Sequence, residues 1–178
     1  MIPIICIVGY SGSGKTTLVG KLLPEIIKRG YQVATIKHAK EIHMDPGKDS
    51  SLHLAAGSSA TALVSGSQLI AMKSYEKAVD LADVMQFLGD GYDIIICEGF
   101  KWSNVPKILV SSHRIDRPPG DITGLFAEVN DGSSTNKVPQ FGPDDIVELA
   151  NLIVEMFLKD KERVYKPLRE NSELTTTK

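Results

Sequence analysis

A chain of 178 residues, 42% hydrophobic and 24% charged, has the balance of one globular domain with room for a full core. Its net charge of -2 leaves no general basic footprint for nucleic acid. Its two cysteines do not make a disulfide framework.

In chain order, "IPIICIVG" is an unbroken apolar run of mostly β-branched residues that stops at Gly9, and it reads as a strand buried on both faces. The same start, "MIPIICIVGY", has no basic region before the run and too short a run for a secretion signal, and no stretch is long enough to span a bilayer. A cytoplasmic protein with no membrane and no nucleic-acid partner is therefore expected. Residues 15–29 carry Leu18, Leu22, Leu23, Ile26 and Ile27 at helical spacing, with Pro24 as a defect and Gly30 as the stop. "YQVATIKH" is the second strand, so the segment up to His38 already forms one β-α-β unit.

"DPGK" at residues 45–48 is turn chemistry, and Asp49-Ser50 can cap a short helix over residues 51–56. "TALVSGSQLIAMKS" predicts two strands joined at Gly66-Ser67. Residues 75–88 show helical periodicity through Val79, Leu81, Val84, Met85 and Leu88, ended by Gly89. "YDIIICEG", "PKILVSS" and "LFAEVN" predict three more strands, and residues 143–158 a closing amphipathic helix. Cys6 and Cys97 both fall inside apolar strands and are expected as buried free thiols. The pattern predicts an α/β fold of three layers, α/β/α, with a mostly parallel sheet made partly antiparallel by the hairpin. Residues 1–158 form the domain, and residues 159–178 a polar tail, frayed or disordered.

The stretch "VGYSGSGKTTL" fits G-x-x-x-x-G-K-[ST], running from Gly9 through Gly14, Lys15 and Thr16. It follows a predicted strand and opens a predicted helix, as a phosphate-binding loop must. Backbone N–H groups of such a loop and the positive end of the helix face the phosphates. Gly9, Gly12 and Gly14 allow close approach, Lys15 bridges the β- and γ-phosphates, and the Thr16 hydroxyl ligates Mg²⁺. The expected fold is thus that of a P-loop NTPase.

Other polar groups fall at the carboxyl ends of strands, where ligands of open α/β sheets lie. They are Lys37 and His38, then Asp45 and Asp49, then Glu98, then Asn130 and Asp131. Glu98, after four apolar residues, fits a Walker-B-like acid that holds Mg²⁺ directly or through water. Asp45 and Asp49 either complete the metal shell and orient an attacking water, or are turn and cap residues. Asn130 and Asp131 either read a guanine edge or form a turn. His38, His43 and His53 have no structural zinc spacing.

Taken in order, "GYSGSGKTTL", "TIKH", "DPGKDS" with "AAG", "CEGFK" and "PKI" resemble the molybdopterin-guanine dinucleotide biosynthesis protein B family, the MobB type, over about residues 4–110, with a weaker "GLFAEVND" beyond. The resemblance implies a P-loop GTP-binding homodimer with weak Mg²⁺-dependent GTPase activity. It implies an adaptor working beside the guanylyltransferase that attaches GMP to molybdopterin, with molybdopterin or molybdoenzymes as further partners. By position, residues 9–17 become the phosphate loop, including Ser11, Ser13 and Thr17, and Glu98-Gly99 the Walker-B-like pair. Asp45, Lys48 and Asp49 would face the γ-phosphate. The guanine signature N-K-x-D is absent, since Asn136-Lys137 continues as Val-Pro; GTP over ATP rests on the resemblance. The competing readings are a P-loop small-molecule kinase, for which the loop with Arg114 and Arg117 is the one candidate lid, and a metal-delivery GTPase.

Overall fold

Two isoleucine-rich apolar runs, Ile4–Val8 and Ile94–Glu98, become neighbouring central strands of the molecule. The computed structural model describes residues 2–42, 49–112, 122–132 and 134–159. Within them β1 (Ile4–Val8), α1 (Lys15–Lys28), β2 (Val33–Lys37), α2 (Asp49–Ala55), β3 (Ala60–Ser65) and β4 (Gln68–Lys73) come first. Then follow α3 (Leu81–Leu88), β5 (Ile94–Glu98), β6 (Lys107–Val110), β7 (Leu125–Val129), β8 (Gln140–Phe141) and α4 (Ile146–Phe157).

Six strands form one sheet in the order β2-β5-β1-β6-β7-β8, and every neighbouring pair is parallel. Parallel strands are covered on both faces, which is why β1 and β5 read as continuous apolar runs. Alternate residues divide between the faces. Ile5, Ile7, Ile94 and Ile96 pack with Leu18, Leu22 and Ile26 of α1 and with Leu149 and Ile153 of α4. Cys6, Val8, Ile95 and Cys97 point the other way, toward Leu81, Met85 and Leu88 of α3. Three layers result, and both cysteines are free and buried.

Three expectations change. The hairpin forms as predicted, with Ser65 opposite Gln68, but as a separate two-stranded sheet; the large sheet is wholly parallel. The periodic segment at 75–88 is helical only from Leu81, because Asp80 and Asp83 make a reciprocal capping box that fixes the start there. β8 is an addition: two residues carry no periodic signal, and the strand exists through its pairing with Glu128 and Val129. Helix α1 runs through Pro24. The carbonyl that loses its partner belongs to Gly20, and both residues are exposed, so water can serve it. The tail beyond residue 159, with the loop carrying Arg114 and Arg117, lies outside the described residues.

The sheet order fixes where a ligand can lie. From β1 the chain leaves through α1 to β2 on one side, while β6 leads to β7 on the other. The crevice at the carboxyl ends therefore opens beside β1, the strand that feeds the glycine-rich loop.

Candidate nucleotide site

The loop between β1 and α1 is held tightly against the next strand. Gly9 has φ 150°, and a Cβ placed there would lie 2.2 Å from the Val110 carbonyl oxygen and 2.8 Å from the Ser13 Oγ. Only glycine fits. Ser13 N–H donates to the Tyr10 carbonyl at 3.2 Å, and Leu18 N–H to the Gly14 carbonyl at 2.9 Å, so the loop passes straight into the helix. Ser13 is buried, and its Oγ is the buried side-chain polar atom without a hydrogen-bond partner among the described residues. A buried hydroxyl without a partner is costly, and here it sits within the loop whose sequence pattern predicts phosphate binding.

Lys15 folds back and donates from Nζ to the Tyr10 carbonyl at 2.6 Å. Burial lowers its pKa from the ordinary lysine range, opposed by the Glu98 carboxylate and assisted by the neighbouring Lys37 charge. Thr16 Oγ1 reaches both carboxylate oxygens of Glu98, at 3.0 and 2.9 Å. Lys37 Nζ lies 3.4 Å from Thr16 Oγ1 and 3.4 Å from Glu98 Oε2. Three strand ends, those of β1, β2 and β5, thus converge on one point, because β2 and β5 pair in register from Val33 to Lys37 and β5 neighbours β1. Thr16 and Glu98 are the donors that could hold a hard cation; a hydroxyl and a carboxylate suit Mg²⁺.

On the other side of the loop a cavity of about 150 Å³ opens between α1 and the ends of β6 and β7. Ser13, Gly14, Thr17, Ser111, Ser112 and Asp131 line it. Ser112 Oγ donates to Asp131 Oδ2 at 2.8 Å. Asn130 is buried and turned to structural work: its Oδ1 accepts from Gly132 N–H at 3.2 Å and its Nδ2 donates to Gln140 Oε1 at 3.2 Å. Beneath them the buried Glu128 carboxylate accepts from Ser111, Ser134 and Asn136, tying the ends of β6 and β7 together.

The predicted site residues therefore divide. Gly9, Ser11, Gly12, Ser13, Gly14, Lys15, Thr16 and Thr17 stand in one loop, with Glu98 against it. Asp131 stands on the wall of the small cavity and Asn130 behind it. Asp45 lies outside the described residues, and of Asp49 only the backbone, as the first residue of α2, is described. Among the described residues no three His, Cys, Asp or Glu side chains are grouped to hold a metal ion, and no helix is long and apolar enough to cross a membrane. Sequence reasoning noted Lys37 without giving it a role; its signal was its place one strand over from Glu98. It passed over the two serines after β6, which became visible only once β6 was seen beside β1.

Comparison with known proteins adds an independent line. The family model described as molybdopterin guanine dinucleotide synthesis protein B matches residues 4–127. A Haemophilus influenzae protein named molybdopterin-guanine dinucleotide biosynthesis adapter protein is 40% identical over 124 residues, 68% of this chain and 70% of its own. The Escherichia coli protein of the same name is 31% identical over 171 residues, 89% of this chain and 95% of its own. Among solved structures, Bacillus subtilis MobB superposes with a TM-score of 0.69 at 23% identity, covering 89% of this chain and all (100%) of that one. A MobB homolog from Bacillus stearothermophilus gives 0.63 at 22% identity, covering 85% and 95%. At those identities the structures speak for the fold.

Proposed function

The chain belongs to the molybdopterin guanine dinucleotide synthesis protein B family, and from that premise we propose that it is a GTP-binding adapter of molybdopterin-guanine dinucleotide biosynthesis with slow, Mg²⁺-dependent GTPase activity. The observation that carries the nucleotide part is the Thr16–Glu98 contact of 2.9–3.0 Å at the head of the loop. A threonine hydroxyl and a strand-end carboxylate meet where the metal of a P-loop protein is held.

Residues 9–17 cradle the phosphates with backbone N–H groups, and the Ser13 hydroxyl gains the partner it lacks. Lys15 leaves the Tyr10 carbonyl and binds the β- and γ-phosphates. Thr16 and Glu98 would hold Mg²⁺, which would supply charge neutralisation at the phosphates. Lys37 adds a second positive charge beside both Thr16 and Glu98. The cavity bordered by Thr17, Ser112 and Asp131 takes the nucleoside, with the Asp131 carboxylate able to accept from the N1–H and N2–H edge of guanine. Such a site catalyses by position and charge alone, so turnover is slow until a partner completes it. The partner by the same reading is the guanylyltransferase that attaches GMP to molybdopterin, and the protein acts as a homodimer in the cytoplasm. The β3–β4 hairpin supports self-association: Val64, Leu69 and Ile70 are 74, 67 and 62% exposed, on both faces of the ribbon.

Titration calorimetry with GTP and ATP, each with Mg²⁺, tests the reading. The expected result is GTP preference, with affinity falling about a hundredfold or more in Lys15→Ala and turnover falling more than binding in Glu98→Gln. Equal affinity for ATP, or unchanged binding in Lys15→Ala, overturns it. Affinity also has a predicted pH dependence. Lys15 loses its proton earlier than an exposed lysine, so its contribution is full at low pH and is lost as pH rises, beginning below the ordinary lysine range. In Lys15→Arg, whose guanidinium keeps its charge, the part of this fall that comes from residue 15 should disappear, leaving only the fall set by ionisation of the guanine N1–H.

A further inference from the structure

Beyond Glu98 the chain makes a tight turn that the nucleotide site does not use. Gly99 has φ 102°, where a Cβ would come 2.9 Å from the His38 Cβ, and Phe100 follows at φ 53°, a conformation L side chains seldom adopt. Ser103 N–H and Oγ both donate to the Phe100 carbonyl, at 3.0 and 2.8 Å. The fully buried Lys107 then fixes the turn from below, its ammonium donating to the carbonyls of Ser103, Val105 and Thr123. A buried cation spent on three backbone carbonyls makes this a rigid shelf.

The shelf and the start of α3 border an open cavity of about 610 Å³, a size typical of small-molecule sites. His38 and Phe100 form one wall, their rings edge to face at 5.0 Å. Trp102 stands at the mouth, 88% exposed, with Lys101 Nζ 5.1 Å from its ring centroid. Asp80 and Asn104 supply hydrogen-bonding groups on the rim. A large aromatic held out on a fixed turn contributes little to the core and offers a flat face for a ligand. The cavity begins where the nucleotide site's two flanking strands end. At the end of β2, Lys37 meets Thr16 while the next residue, His38, lines the cavity; at the end of β5, Glu98 meets Thr16 while Gly99 and Phe100 line it.

We propose that this cavity binds a second ligand beside the nucleotide: a flat, conjugated heterocycle carrying an anionic group. Trp102 and Phe100 receive the ring, Lys101 the anion, and Asp80 and Asn104 the ring's N–H edge. That the heterocycle is a pterin rests on the function proposed above; the aromatic and cationic lining does not.

Trp102 is the one tryptophan of the chain and reports on the site directly. The intact protein is titrated with pterin-6-carboxylate, with and without saturating GTP and Mg²⁺, by tryptophan fluorescence and by calorimetry. Saturable quenching that persists with GTP present is expected. Calorimetric affinity should fall about tenfold in Trp102→Ala and several-fold in Lys101→Gln, with GTP affinity unchanged in both. No saturation, equal affinity in Trp102→Ala, or competitive displacement by GTP overturns the proposal; the last result would make the cavity the guanine pocket. Pterin-6-carboxylate binding without GTP binding upholds this inference while the nucleotide reading falls, and GTP binding alone does the reverse.

Discussion

Ile95 in β5 and Ile70 in β4 are the same side chain on the same extended backbone, yet the first is fully buried and the second 62% exposed. The two sheets they belong to differ in what covers them. β5 lies between β1 and β2, with α1 on one face and α3 toward the other. The β3–β4 ribbon pairs only with itself among the described residues, so Leu63 and Ile70 face one way and Val64 and Leu69 the other, and all four are exposed. β propensity decides that a segment is extended. Whether the strand is core or surface depends on which elements the topology stacks against it.

The sharpest break in that comparison is a pair of truncations. Ile96→Ala, beneath α1 in the main core, should cost about 2–5 kcal/mol in denaturant unfolding. Ile70→Ala should stay within about 0.5 kcal/mol in dilute protein. A cost for Ile70 as large as that for Ile96 would mean the ribbon is covered in solution even at low concentration.

Next in size is Lys107→Met, which keeps the bulk of a buried residue and removes the donor to three carbonyls. The expected loss is about 1–3 kcal/mol, together with faster hydrogen exchange confined to residues 100–105. Uniform exchange across the sheet would show that Lys107 serves the core as a whole. The smallest effect on folding is expected from Val64→Asp with Leu69→Asp, on the face of the ribbon where both side chains are most exposed. Sedimentation should show self-association lost while the unfolding midpoint measured in dilute protein and GTP affinity hold. Dimers that persist would move the interface elsewhere.

Much of the site was legible before any coordinates, and for a clear reason. The glycine-rich loop is a local device: glycines, lysine and threonines follow one another in residues 9–17 between a strand and a helix, and the backbone conformation it needs restricts the residue types. Glu98 was legible too, since an acid closing an apolar strand is a break in pattern. The contact of Glu98 with Thr16, 82 positions apart, was not, because it depends on β5 lying next to β1 in the sheet. Lys37 joins them for the same reason. Asp131 and Asn130 looked equivalent in the sequence. Only the packing of β8 turned one toward Gln140 and left the other at the cavity.

The sequence by itself determined the five longer strands and the flanking helices of the parallel core, the loop whose pattern fits phosphate and the expectation of two free thiols, because periodicity, glycine placement and side-chain chemistry act over a few residues. The tertiary structure decided the strand order, the exclusion of the hairpin from the main sheet, and the shelf that Lys107 builds under Phe100 and Trp102. Each of those depends on contacts between segments far apart in the chain, and no local pattern records which distant segment will arrive.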